Sequence, residues 1–445
     1  MLLWGVAMSD DRGPFIALMT ANAVRQVGAM MTAVAVPWLV LETTGSAAKV
    51  GLTGVAIAIG WVAPSVLGGP LVDRLGMRRT SVSTDLLAGV AVATIAILQL
   101  LGILQFWQLI VLVFLMSSFN AQGDTGRFAL IPDLAGRASM SLERANTADR
   151  AIARAAQLVG PVLAGVLIAL VGTSDVLVAN ACAFAFSATL VGLRVPLTPP
   201  ASSDPDQPPT FKSYFADLSE GLRFVRRNRL ILSVILLALA GNFFDVPLMS
   251  VVLPVYAKEI FDSPTSLGLM VGSFAAGALA GTILFGAIGR GLSRRKLFLW
   301  GWLLSALIVY GALSAQLPLA GIVLAGVVAG IVAGPINPIV ETVVHENTPP
   351  QLMGRVFGAL TAFAQAGIPF GAAIAGFAIE GAGLIPTIAV MGGLYVIVVV
   401  LMFMNPALRG MDMKAAAAEE PTAAEPTPAE PPPQARSCPT MKAGL

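Results

Sequence analysis

Gly69-Pro70-Leu71-Val72-Asp73-Arg74-Leu75-Gly76-Met77-Arg78-Arg79 is a charged island between two apolar runs. The runs on either side, 49–70 and 80–101, are each long enough to cross a hydrocarbon core of about 30 Å as a helix. Adding 217 to each position finds the island again: Gly69 maps to Gly286, Leu75 to Leu292, Arg78 to Arg295 and Arg79 to Lys296. The same offset carries Pro37 to Pro254, Ser46 to Ser263, Gly51-Leu52 to Gly268-Leu269, and Pro132 to Pro349. Past the fourth run it shortens to 211, where Gly160 maps to Gly371 and Gly165 to Gly376. A register held over four apolar runs and their loop charges marks an internal duplication.

Reading outward from the island, hydropathy gives twelve spans, near 14–41, 49–70, 80–101, 106–130, 142–172, 175–195, 229–257, 266–289, 297–314, 318–343, 352–379 and 384–405. Of the 445 residues 56% are apolar and 12% charged, against roughly 25% charged in soluble domains. That deficit excludes a soluble enzyme, a nucleic-acid binder and a secreted disulfide scaffold. Cys182 falls in a span and Cys438 in a polar tail, so the two do not pair, and the lone His345 leaves no His/Cys cluster for a metal. The expected fold is an all-α polytopic membrane protein of two six-helix bundles. Equivalent points lie six spans apart, so the bundles are related by a parallel pseudo-repeat with its axis along the membrane normal.

Segments 1–13 and 407–445 read as tails, the latter Ala/Glu/Pro-rich and disordered. Residues 14–195 and 229–406 form the bundles. The linker 196–228 places Phe211, Tyr214, Phe215, Leu218, Leu222 and Val225 at helical spacing, as in an amphipathic helix lying on the membrane face. With an even span count both termini share a side. Loops on that side carry Arg12, Arg74, Arg78, Arg79, Arg137, Arg144, Lys212, Arg223, Arg226, Arg227, Arg229, Arg290, Arg294, Arg295, Lys296 and Arg355, against Lys49 and Lys258 opposite. The positive-inside rule puts both termini in the cytoplasm.

The island resembles the loop signature of the major facilitator superfamily, G-x-L-x-D-R-x-G-R-[RK]-[RK], with Met77 replacing one basic position. In that family the loop is a conformational latch. The resemblance assigns that role to Gly69, Asp73, Arg74, Gly76, Arg78 and Arg79, with Asp73 meeting the start of span 11 near Gly354 and Arg355. The second copy carries Arg290 where Asp73 stands, so the latch is expected on one side only. Gly160-Pro161 and Gly165 in span 5 resemble a G-x-x-x-G-P-x-x-G-G signature of the exporting branches, with alanine at two glycine positions. Ala129-Leu130-Ile131-Pro132-Asp133, Leu218 to Arg223, and Pro349 with Gly354-Arg355 to Gly358 resemble the macrolide-efflux and enterobactin-exporter type. Asp124 and Arg25 depart from that branch, so its substrates are not carried over.

An ionisable side chain inside a span is costly and marks function by default. Spans 1 and 7 present Arg25, Gln26, Asn242 and Asp245 at matched depth, and these are the expected cavity residues. Arg25 is expected either to pair with Asp245 or to meet an anionic substrate group. An ion pair locking the halves is the bland alternative. The 217 offset pairs Asp124 with Glu341, which makes both proton-coupling candidates, with Glu341 preferred and Asp124 taken as structural. Asp149, Arg150 and Arg154 read as an ion-pair cluster with Asp124, Asp85 as a helix-end charge, and Trp38, Trp61, Trp107, Trp300 and Trp302 as an interfacial belt.

The reading is a secondary transporter that exports a small amphipathic molecule by proton antiport. It sits in the bacterial cytoplasmic membrane as a monomer among lipids, with no metal, nucleic-acid partner or cofactor beyond the proton gradient. A cation-coupled importer or uniporter on the same fold is the alternative. No P-loop appears, which argues against ATP drive, and no catalytic dyad suggests an enzyme.

Overall fold

The computed structural model describes residues 12–197, 221–289 and 291–412; side chains over 63–75 lie outside that description. Within it the chain is helical and strand-free. The helices, in order, are α1 (Gly13–Thr44), α2 (Ala47–Leu75), α3 (Met77–Leu100), α4 (Phe106–Arg137), α5 (Leu142–Val171) and α6 (Thr173–Arg194). The second half holds α7 (Arg229–Phe261), α8 (Pro264–Ile288), α9 (Arg294–Ser314), α10 (Leu319–Asn347), α11 (Pro350–Ala382) and α12 (Leu384–Phe403). Eleven are long and apolar enough to cross a membrane, and the described part of α2, Ala47–Val62, is a shorter apolar helix. α3 turns Leu86, Leu87, Val90 and Ile97 outward, as a helix facing lipid does.

Capping residues set the helix starts. Ser141, Asn228, Ser263 and Ser293 each accept from a backbone N–H in the first turn of α5, α7, α8 and α9, satisfying donors the helix cannot. Gly45 closes α1 with φ +62°, a left-handed turn that favours glycine.

Three helices differ from the sequence expectation. α4 runs through Pro132 to Arg137, beyond residue 130. α7 contains two π-helical turns, Leu248–Val252 and Ala257–Phe261, flanking Pro254 and following Pro247; a proline removes a backbone donor, and a wider turn absorbs the lost bond. α10 breaks at Gly334-Pro335, where Gly334 presses on the backbone of α8 at Ala278 and Thr282. His345 belongs to the last turn of α10 rather than to a loop. The described end of the linker, 221–227, is helical. Val225 is buried there with Ile231, Val344 and Val356, and Gly221 sits 2.5 Å, measured from an added Cβ, from the Arg355 carbonyl. The linker positions Phe211 to Leu218 and the tails 1–11 and 413–445 lie outside the described residues.

The duplicated glycines are the contact points of the two bundles. An added Cβ at Gly51 on α2 would stand 2.5 Å from the Ala372 carbonyl and 3.1 Å from Gly376 Cα on α11. At the equivalent crossing, one at Gly165 on α5 would stand 2.5 Å from the Pro264 carbonyl and 3.2 Å from Gly268 Cα on α8. Since 217 turns Gly51 into Gly268 and 211 turns Gly165 into Gly376, the two crossings are one contact used twice. Within the bundles, Gly160 packs closely on Val27 and Met30 of α1, and Gly371 on Phe243 and Pro247 of α7. Small residues let helix backbones approach closely where hydrophobic driving force between spans is absent.

These crossings lie toward the end of the molecule away from the arginine-rich loops, called here the far end. There Glu380 of α11 also accepts from Ser46 Oγ at 2.6 Å and from Ala48 N at 3.0 Å. Lys258 of α7 stands 5.1 Å over the Trp38 ring of α1. The far end is thus closed by contacts between the bundles, and it sets the roof over the cavity below.

Candidate transport cavity

A cavity of two lobes is present, one of about 650 Å³ walled by the first bundle and one of about 460 Å³ walled by both bundles. Met30, Ala33 and Gln157 line both lobes and join them. The wall of the first includes Asn22, Phe128 and Asp149, each about two turns from the basic end of α1, α4 or α5. The cavity therefore reaches from mid-depth toward the arginine-rich loops.

Five helices of the first half meet around a charged network. Arg127 of α4 is 2% exposed. Its guanidinium donates to Asp85 of α3, to Asn22 Oδ1 of α1 at 2.6 Å, to Ser187 Oγ of α6 at 2.6 Å and to Ser81 Oγ at 3.0 Å. Ser187 Oγ donates in turn to Asp85 at 2.8 Å. Asn22 Nδ2 donates to Asp149 Oδ1 of α5 at 2.9 Å. One turn along α1 from Asn22, Arg25 pairs with Asp124 of α4 and donates to Asn120 Oδ1 at 3.2 Å. A charge this deep is tolerable only when paired and hydrogen-bonded, and every member here is held by a neighbouring helix.

This geometry corrects several expectations. Arg25 does not pair with Asp245; its partner is Asp124 in its own half, so the two halves are not locked by that pair. Asp85 is a buried partner of Arg127, not a helix-end charge. Asp124 does not join Arg150 and Arg154, which are exposed on α5 and line the first and second lobes respectively. Arg127 and Asn22 escaped the sequence reading. Their signal was helical spacing: Asn22 precedes Arg25 by three residues and Arg127 follows Asp124 by three, which puts each pair on one helix face.

The second lobe is built differently. Asp245 of α7 accepts from Tyr395 Oη of α12 at 2.8 Å, and among the described residues it has no basic partner. Tyr395 is held in an aromatic cluster, stacked on Phe244 at 4.9 Å and edge-on to Tyr310 and Trp302. Met249, Val271, Phe274 and Trp302 give the lobe an apolar wall. Asn242 lines it as well, its Nδ2 donating to the Ala364 carbonyl at 2.9 Å. Trp302 is accordingly a cavity residue, and Trp38 is buried at 2% exposure with Nε1 donating to Glu42; neither belongs to an interfacial belt.

The structure places Arg25 and Gln26 in the first lobe and Asn242 and Asp245 in the second. It does not bring Glu341 to either: Glu341 is exposed near the basic end of α10, and its carbonyl contacts His345 Nδ1 at 2.8 Å. Of the island residues, Gly69, Asp73 and Arg74 lie outside the described side chains. Gly76 takes φ +81° where α2 turns into α3, a conformation that favours glycine. Arg78 donates to the Gly192 carbonyl near the end of α6, and Arg79 is exposed. Among the described residues no His/Cys/Asp/Glu group could hold a metal.

A profile of the family described as transmembrane secretion effector matches residues 11–435. The chain belongs to this family of major facilitator transporters. The chain is 30% identical over 412 residues to the multidrug efflux pump Tap of Mycolicibacterium fortuitum, covering 91% of this chain and 98% of that one. It is 21% identical over 358 residues to macrolide efflux protein A of Streptococcus pyogenes, covering 78% and 84%. Among solved structures, it superposes on the nucleoside transporter NupG with TM-score 0.68 and 13% identity, covering 88% and 98%. A bacterial homologue of the lysosomal transporter Spinster, inward-facing and unoccupied, gives TM-score 0.68 and 14% identity, covering 90% and 97%. At these identities the structural likeness establishes the fold. The chain is thus a multi-pass membrane transporter, not an enzyme.

Proposed function

We propose that the protein exports a small amphipathic molecule across the bacterial cytoplasmic membrane by proton antiport. In this reading the arginine-rich end and both termini face the cytoplasm, so the described state is closed to the outside and takes up its substrate from within. The efflux activities named for the relatives support the direction. The observation that carries the reading is Asp245: an acid in the wall of a largely apolar lobe, held by one tyrosine hydroxyl and, among the described residues, by no cation. Such a charge is costly to leave uncompensated. A proton or a cationic group of the substrate neutralises it, and the two compete for one carboxylate, which is the logic of exchange. Rocking of the bundles about the glycine crossings then exposes that carboxylate to the other side.

The coupling role preferred for Glu341 on repeat symmetry therefore moves to Asp245, and Asp124, engaged by Arg25, keeps a structural role. The test is transport of a fluorescent amphipath in proteoliposomes under an imposed pH gradient. Wild-type protein is expected to move it against its gradient only when protons flow the other way. Asp245→Asn abolishes accumulation and Glu341→Gln retains it. Accumulation that persists in Asp245→Asn and fails in Glu341→Gln overturns the assignment. Uptake in the same direction as the protons overturns antiport.

A further inference from the structure

The second lobe holds two charges of opposite sign, one from each bundle. Asp245 comes from α7, and Arg154 from α5 faces the same space. Arg154 Nη1 donates to Gln157 Oε1 at 3.1 Å, which orients the guanidinium on the strip of wall where the two lobes join. No ion pair links Arg154 to Asp245 or to any other described acid. The same lobe is lined by Met30, Met249, Val271 and Phe274. The indole Nε1 of Trp302, in the same wall, is buried and has no hydrogen-bond partner.

A ligand with a single charge suits half of this arrangement. A plain cation meets Asp245 but is repelled by Arg154 in the same lobe of about 460 Å³, where apolar walls weaken screening. A plain anion meets Arg154, with its fork of donors suited to a carboxylate, but is repelled by Asp245. A molecule carrying both charges on an apolar scaffold satisfies both walls and leaves neither side chain facing an empty lobe.

We propose that the second lobe selects zwitterionic amphipaths, seating an amine at Asp245 and an anionic oxygen at Arg154. The inference rests on the reading of the two lobes as the transport site. It assigns Arg154 as the residue that separates zwitterions from simple cations, and Gln157 as the residue that positions it.

The test is a matched pair of ligands: a rhodamine with a free carboxylate, which is zwitterionic at neutral pH, and its methyl ester, a simple cation on the same scaffold. Binding of each to the full-length protein in lipid nanodiscs is measured by fluorescence anisotropy, with no gradient present. Wild-type protein is expected to bind the carboxylate form about tenfold more tightly than the ester, a difference of about 1.4 kcal/mol. Arg154→Gln weakens the carboxylate form about tenfold and the ester less than twofold, so the preference disappears. Arg154→Lys keeps the charge and restores part of the preference, which separates recognition from misfolding. Asp245→Asn weakens both forms alike. Equal wild-type binding of the two dyes, preference for the ester, no binding of the carboxylate form, or an Arg154→Gln effect equal on both overturns the proposal. Because the assay needs no proton gradient, failure of antiport leaves its outcome readable, and failure of dye discrimination leaves the antiport measurement readable.

Discussion

Gly51→Ala adds one carbon at a close backbone approach between α2 and α11. That carbon would stand 2.5 Å from the Ala372 carbonyl oxygen and 3.1 Å from Gly376 Cα. It is roughly 1 Å short of a relaxed contact, and both obstacles are backbone, which cannot rotate away. The bundles must therefore part at the far end. Overpacking of this size costs about 1–3 kcal/mol, and it falls only on the state in which this crossing is closed. The gain in helix propensity from alanine applies in every state and cancels. A bias of about 1–3 kcal/mol shifts an equilibrium between states by roughly 5–150-fold. The assay is labelling of Ala48→Cys, 6% exposed in the closed crossing, by a membrane-impermeant thiol reagent applied from the far side. The background lacks Cys182 and Cys438. Labelling is expected to accelerate at least fivefold in Gly51→Ala, and equally with Gly268→Ala, its repeat partner. Unchanged labelling of a folded Gly51→Ala protein would refute the view that this crossing gates the far end.

Arg127→Met leaves Asp85 buried without its cation and is expected to cost about 3–5 kcal/mol, read as a lowered melting temperature in detergent; Arg127→Met with Asp85→Leu costs much less than the single change, and equal losses would sink the pairing. Asp124→Asn strands Arg25, which is 3% exposed, and reduces the yield of monodisperse protein, while Arg25→Gln in the same chain recovers it; strictly additive losses would argue against their coupling. Glu380→Gln weakens the bridge to Ser46 and Ala48 and is expected to speed far-side labelling of Ala48→Cys, with no change counting against a role in closure.

The fold was legible because its determinants are periodic. Twelve apolar runs, arginines concentrated in every second loop and a register of 217 residues need no tertiary information. The repeated glycines were legible as a pattern, but their reason appears only in space, where Gly51 meets Gly376 and Gly268 meets Gly165. Helical position in the sequence gives Arg25, Gln26, Asn242 and Asp245 similar depths, and in the structure the first two line one lobe and the last two the other. Pairing is not legible in this way, because a pair depends on which faces of different helices turn toward each other. Arg25 and Asp245 match in depth, yet Asp124 is the acid that α4 brings to Arg25. Repeat symmetry likewise matched Asp124 to Glu341 but could not show that the second copy lies outside the cavity. Asp85 and Arg127 illustrate the same limit: charge near a span end looks interfacial until a partner from another helix is seen.

The two halves also differ in how they can change over generations. In the first, Asn22, Ser81, Asp85, Arg127, Asp149 and Ser187 are linked through shared hydrogen bonds. A single replacement strands a neighbour, so viable lineages must alter partners in concert. In the second, Met249, Val271 and Phe274 form a wall of apolar contacts, where swaps of similar volume are tolerated one at a time. Single apolar replacements are therefore expected to be tolerated on the side of α7 and α8, whereas changes on the side of α1 and α4 require a compensating partner.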